Sequence, residues 1–394
     1  MGERGFLGPL SRLVGARATS SVLQFLVLIF IARSVPIESF GLYSSGLAVG
    51  AVASGVLGLG IVTRAYRIQA ESIPGMPASY FAITLVGAAL GFVIVLAYAT
   101  LSGSGVESWS VAAGAFVATE MINALCQALL FGMRRNARAE LGVVLGRAIP
   151  LAFIAVAATA APASTFSVAA IGFVAAAVVN VLLLGRLRWF GWHLIAVIVG
   201  GRHYWYASMW SMAQQLDVVI INARLGPAAA GAFSGAFRLA SPIHLVTGAI
   251  TSTMLPKLTA AETTLARRIG AKPYLRLSAA YAAAAVLVSP VMAWVGPLLL
   301  GEAFQQYGLI FVALFINSAV SSFAQVQAAR SYAEGHARAV AIATGVSTLL
   351  GLALVILAVL FAGVLAAAVA LVVARLVLVI QLALVARFAA SMED

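Results

Sequence analysis

SMAQQLDVVIINARLGPAAAGAFS, residues 211–234, reads as an apolar segment that carries an acid, Asp217, then a turn and the start of a second apolar run. About 190 residues earlier, SSVLQFLVLIFIARSVPIESFGLYS (20–44) has the same pattern. Ser20, Gln24, Ala32, Arg33 and Pro36 match Ser211, Gln215, Ala223, Arg224 and Pro227 at a constant offset of 191. After a one-residue gap, Gly41, Ser44 and Gly58 match Gly231, Ser234 and Gly248 at 190. Polar identities held in register across a turn do not follow from apolar composition, and the offset is half the chain. A duplicated, two-lobed molecule is expected.

The composition sets the medium. The chain has 394 residues, 63% of them hydrophobic and 9% charged, with a mean hydropathy of +1.05. A soluble domain carries about 25% charged residues, so this chain cannot cover its surface against water. Apolar runs of 18 residues or more recur along it, each near the roughly 20 residues that cross a bilayer as a helix. The fold class expected is an all-α polytopic membrane protein. A net charge of +12 raises nucleic acid as a partner, but 22 of the 24 basic residues are arginine and most flank apolar runs. That placement is topological and lipid-facing, which excludes nucleic acid and makes membrane lipids a partner. Cys126 is the single cysteine, so no intramolecular disulfide forms. The first span lacks a small-residue cleavage site and reads as retained.

Apolar runs and their flanks predict twelve spans: 13–32, 42–62, 80–101, 109–131, 141–160 and 166–185, then 204–223, 229–254, 277–300, 308–329, 339–362 and 364–386. With the N-terminus in the cytoplasm, eighteen basic residues fall on inside segments, two (Arg33 and Arg224) outside and four within spans. This positive-inside bias puts both termini in the cytoplasm of a multi-pass protein. Both copies of the repeat then point the same way, giving two parallel six-helix lobes around a central cavity. The N-terminal lobe is 1–200, closed by an interfacial linker helix near 187–202, and the C-terminal lobe is 201–394. Gly46-x3-Gly50, Gly87-x3-Gly91, Gly142-x3-Gly146 and Gly231-x3-Gly235 allow close helix approach. Pro150, Pro242 and Pro290 interrupt spans as candidate hinges.

Six ionisable residues lie inside spans: Arg17, Glu120, Arg147, Asp217, Arg238 and Arg375. At 1.5 Å per residue, Glu120 and Arg375 sit near mid-bilayer, Arg238 and Asp217 lie closer to the outer face, and Arg147 and Arg17 lie nearest the cytoplasm. A charge at a helix centre costs about 2.5–3.5 kcal/mol on insertion scales, so these groups pair, line water, or both. Asp217 and Arg238 match in depth on adjacent spans and are the expected salt bridge. Four arginines against two acids leave a positive excess, which predicts a hydrated cationic cavity. Arginine donates two parallel hydrogen bonds to phosphate and stays charged, so the cargo expected is anionic. Substrate-binding candidates are Arg375, Arg238, Arg147, Arg17, Gln24 and Gln215; Asp217 and Glu120 are candidates for salt bridging or for a coupling H+ or Na+. In-span amides such as Gln325 offer hydrogen bonds to a sugar, and His244, the offset partner of Ser54, is a candidate proton relay. No metal or other cofactor is implied.

LVLIFIARSVPIESFGLYSSGLAV (26–49), QLDVVIINARLGPAAAGAFSGAFRLASP (215–242) and MLPKL (254–258) resemble the polysaccharide, O-antigen type flippases of the multidrug/oligosaccharidyl-lipid/polysaccharide exporter superfamily. The resemblance covers nearly the whole chain. It implies a bacterial inner-membrane protein that flips a polyprenyl-diphosphate-linked oligosaccharide for surface polysaccharide synthesis, with polysaccharide polymerase and glycosyltransferases as neighbours. Two alternatives lie in the same superfamily. A cation-coupled drug exporter wants acids in its cavity, whereas the first span has none between Glu3 and Glu38. A peptidoglycan lipid-precursor flippase fits the cationic cavity but resembles chains with about two more spans. A membrane enzyme needs paired carboxylates or a nucleophile with its base at one face; the outer loops carry only isolated acids, so the expectation is no enzyme.

Overall fold

In hydrocarbon every peptide N–H and C=O must find a partner within the chain, and a helix satisfies them locally. The computed structural model describes residues 4–65, 76–187, 193, 195, 197, 205, 209–210, 212–259 and 263–391, and all regular structure among them is helical. The side chain of Arg17 and most of the expected interfacial helix near 187–202 lie outside the described residues. Nine helical segments among those described are long and apolar enough to cross a membrane. They coincide with nine of the twelve expected spans, and the protein is a multi-pass membrane protein. Two compact units divide it, Met1–Val219 and Ile220–Asp394.

In the first unit the order is α1 (Arg4–Ser34), α2 (Ile37–Leu57), a short α3 (Ile61–Ala65), α4 (Met76–Leu101), α5 (Ser108–Gly132), α6 (Asn136–Ala160) and α7 (Thr165–Leu184). Helix α5 is the hub and packs on α2, α4, α6 and α7. Its start is fixed by a capping box between Glu107 and Ser110, which satisfies amides a bare helix end leaves open. Glycine lets α2 lie close to α5. A Cβ at Gly46 would meet Ala113 and Trp109 at 3.1 and 3.2 Å, and one at Gly50 would collide with Val117. A core of Ile61, Met76, Tyr80, Leu125, Cys126 and Leu129 closes the end where α3 sits.

The second unit repeats this plan. Helix α8 (Leu216–Leu225) crosses the division between the units; α9 (Pro227–Leu239), α10 (Ile243–Thr259), α11 (Thr264–Val288), α12 (Met292–Leu300), α13 (Gly308–Ala333), α14 (Ala337–Phe361) and α15 (Gly363–Ser391) follow. Here α13 is the hub, packed on α9, α10, α11, α12 and α15, and α14 lies along α15 as α6 lies along α7. The tight returns into α6 and α14 carry Ala-Arg-Ala at 137–139 and 337–339, a third offset, of 200, in the same duplication.

Three departures from the expected spans have local causes. The expected span 229–254 is two helices, α9 and α10, with turns at 240–242. Pro242 supplies no amide there, and bonds from Ile243 N to Ala240 O (3.2 Å), His244 N to Ser241 O (3.0 Å) and Leu245 N to Pro242 O (3.0 Å) bridge the break. Pro290 likewise sits in a 3-10 turn, Ser289–Val291, between α11 and α12, whereas α6 runs through Pro150 unbroken. Finally, Asp217 is not in mid-helix. Turns at Gln214 and Gln215 precede α8, so the acid occupies the helix's first turn and its Oδ1 accepts from Val218 N at 2.7 Å. A carboxylate at a helix N-terminus faces unfilled amides and the positive end of the macrodipole. That helps to admit this acid to an apolar segment.

Candidate functional sites

In the first unit the acid expected near mid-bilayer is held by an arginine. Glu120 stands near the middle of α5 and Arg147 near the middle of α6. Arg147 Nη1 donates to Glu120 Oε2 at 2.8 Å and Nη2 to Oε1 at 2.6 Å, a bidentate fork. The guanidinium also lies 5.9 Å from the Phe116 ring centroid, adding a cation–π contact. Helix α6 starts at Asn136, so the polar turn before the expected apolar run is already helical and Arg147 falls near the helix's middle. The pair is not sealed: side-chain exposures are 18% for Arg147 and 38% for Glu120. Glu120 opens on a cavity of about 390 Å³ whose wall includes Leu47, Ser54, Thr84, Phe116 and Met121.

In the second unit a different polar cluster forms. His244, at the start of α10, has Nδ1 3.2 Å from Gln325 Nε2 and 3.4 Å from Ser322 Oγ, both on α13. Arg375, on α15, bears electrostatically on the same imidazole. The Pro242 break is what aims His244 at α13, since α10 starts only after it. Next to this cluster the Tyr281 hydroxyl donates to Ile243 O at 3.3 Å. Arg238, at the end of α9, donates from Nε to Ser234 Oγ at 3.3 Å. Imidazole, amide and hydroxyl in one cluster offer hydrogen bonds without a carboxylate among the named groups.

The structure thus unites Glu120 with Arg147, and His244 with Gln325 and Ser322. Gln24, on α1, is exposed and, like Gln215, is not among the residues lining the Glu120 cavity. Asp217 Oδ1 accepts from Val218 N and Arg238 Nε donates to Ser234 Oγ. Ser54, Thr84 and Phe116 on the cavity wall and Ser322 beside His244 were not singled out as site residues. One signal was available for them: the repeat pairs position 54 with 244, and each proves to lie in the polar cluster of its own unit.

The sequence matches no family model and no curated protein. The fold does have solved counterparts. An inward-facing multidrug resistance MATE family transporter of the MOP superfamily superposes with a TM-score of 0.70 at 16% identity, over 95% of each chain. The lipid II flippase MurJ in an inward closed conformation gives 0.71 at 12% identity, over 95% of this chain and 87% of that one. A MOP superfamily transporter from Pyrococcus furiosus, for which a binding pocket of reverse polarity suggests a different function, gives 0.62 at 16% identity, over 98% and 96%. The chain shares its fold with these solved transporters.

Proposed function

We propose that this protein is a transporter that flips a polyprenyl-diphosphate-linked oligosaccharide across the bacterial cytoplasmic membrane, for surface polysaccharide synthesis. In this reading transport proceeds by alternating access through a hydrated cationic cavity. The observation that carries the proposal is the Glu120–Arg147 fork. It neutralises one of two in-span acids, so the remaining in-span charge is three arginines, Arg17, Arg238 and Arg375, against Asp217. In-span charge of that sign suits a diphosphate better than a cationic drug. The Pyrococcus furiosus transporter, with its pocket of reverse polarity, is a precedent for this fold carrying altered pocket charge. Arg375, His244 and Gln325 are the groups proposed to meet the cargo in the second unit, with Arg238, Arg17, Gln24 and Gln215 contributing. Asp217 and Glu120 are the candidates for a coupling proton or sodium ion or for salt bridging. The protein needs no catalytic step for this task, and polymerase and glycosyltransferases are its proposed neighbours.

The test uses purified protein in vesicles of phosphatidylethanolamine and phosphatidylglycerol containing a fluorescent polyprenyl-diphosphate oligosaccharide. Quenching from outside should become complete with protein present and stop at the outer-leaflet fraction without it. Arg375→Ala should remove the effect while the protein stays folded. Uptake of ethidium in place of lipid flipping would establish the drug-export reading instead.

A further inference from the structure

The two hub helices differ at one equivalent place. At the offset of 200 that relates the returns into α6 and α14, Gln325 on α13 stands where α5 has Leu125. Leu125 is fully buried in the core of the first unit, whereas Gln325 is exposed on the surface of the second. Hub packing therefore does not ask for an amide there, and an amide turned to hydrocarbon without a partner costs free energy. The same contrast holds at the offset of 190. The Ser54 hydroxyl donates to Gly50 O of its own helix at 2.8 Å, whereas His244 reaches across to α13 and meets Gln325.

Both contacts from α13 fall on one ring nitrogen. Gln325 Nε2 lies 3.2 Å and Ser322 Oγ 3.4 Å from His244 Nδ1. A carboxamide nitrogen only donates, and a neutral imidazole has one N–H and one bare nitrogen. The amide therefore makes Nδ1 the acceptor, which puts the ring proton on Nε2. Ser322, 1% exposed, backs the same edge of the ring. Nε2 lies on the opposite edge of the imidazole, and His244 is only partly buried, so this N–H is turned away from the α13 pair. Arg375 on α15 bears electrostatically on the same ring, which sets the donor in positive surroundings.

We propose that Gln325 is a positioning residue: it holds His244 in the Nε2–H form, and that N–H donates to an anionic oxygen of the lipid diphosphate. The proposal rests on the flippase reading and adds which ring nitrogen meets the cargo and what fixes it. An imidazole free to exchange tautomers would offer the cargo a lone pair for part of the time, and a lone pair repels a phosphate oxygen. One held by the amide offers a donor throughout. Arg375 contributes charge, and His244 contributes direction.

The test is nitrogen NMR of the full chain, with isotope-labelled histidine, in phosphatidylethanolamine/phosphatidylglycerol vesicles at alkaline pH, where imidazoles are neutral. The His244 signals are those that vanish in His244→Gln, among four histidines. Wild-type protein should show a protonated Nε2 and a bare Nδ1, and farnesyl diphosphate should shift the Nε2 signal where farnesol does not. Gln325→Glu, whose carboxylate only accepts, should move the proton to Nδ1. It should also slow flipping of the fluorescent lipid at least about tenfold, the loss expected from one hydrogen bond to a charged group, with thermal unfolding unchanged. His244→Gln keeps a donor near the Nε2 position and should retain part of the flipping. In that background Gln325→Glu should cost far less, because no ring proton is left to move; an equal cost would mean charge repulsion and would overturn the proposal. A wild-type ring protonated at Nδ1, a tautomer that survives Gln325→Glu, or an Nε2 signal that ignores farnesyl diphosphate would overturn it as well. The wild-type spectra decide even where a variant misfolds. An Nε2–H ring in a protein that flips no lipid would discard the transport reading, whereas flipping with Nδ1 protonated would discard this one alone.

Discussion

Glu120 and Arg147 lie 27 positions apart and meet because α5 and α6 are joined by a tight return. Breaking such a pair from one side strands a charge, at about 3–5 kcal/mol for a buried pair. With Glu120 at 38% exposure the expected loss for Glu120→Gln is smaller, about 1–3 kcal/mol. The double variant Glu120→Gln/Arg147→Gln should regain most of that stability, as measured by thermal unfolding in detergent; a double variant as unstable as the single would show the fork to be incidental. The presence of these charges was legible in the sequence, and their partners were only partly so. Depth was counted from the edge of the apolar run, but Asn136–Glu140 are helical too, which hid the match between Arg147 and Glu120. Asp217 shows the opposite error. Its run looked continuous, and only the turns at Gln214 and Gln215 make it a helix-start residue.

At the scale of helices, glycine positions that look alike in sequence have unlike surroundings. Gly50→Ala should force Val117 aside and destabilise the protein by about 1–3 kcal/mol, the usual range for overpacking. Gly248→Ala meets nothing within 4 Å and should be neutral or stabilising by up to about 1 kcal/mol, from helix propensity alone. The same unfolding assay checks both, and equal losses would contradict the α2–α5 contact. Gly142→Ala should also be costly, because its Cβ falls on Asn180 Oδ1, so the Gly142-x3-Gly146 run does bring α6 onto α7. Nine of the twelve expected spans are matched in order by long apolar helices among the described residues, because bilayer thickness sets their length. Breaks did not follow from proline alone: Pro242 and Pro290 end helices, and Pro150 does not. Whether a neighbouring helix can absorb the missing bond is a tertiary property that no local pattern carries.

For the whole molecule, the arginine distribution predicts that epitope tags at either terminus resist protease added outside intact cells and become accessible once the inner face is opened. Exposure of one terminus alone would mean that the alternation of spans is misread. The duplication was visible in the sequence only around the first hairpin of each half. The structure extends it to the hubs α5 and α13 and to helix pairs whose apolar sequences have diverged, because packing partners constrain shape more than identity. One feature of the core bears on how motion in this protein can be measured. Cys126 is the only thiol and lies fully buried among Tyr80, Leu125 and Leu129. The native chain should therefore stay unlabelled by maleimide reagents, so that pairs of cysteines introduced at will can carry spin labels or fluorophores without first engineering the background away.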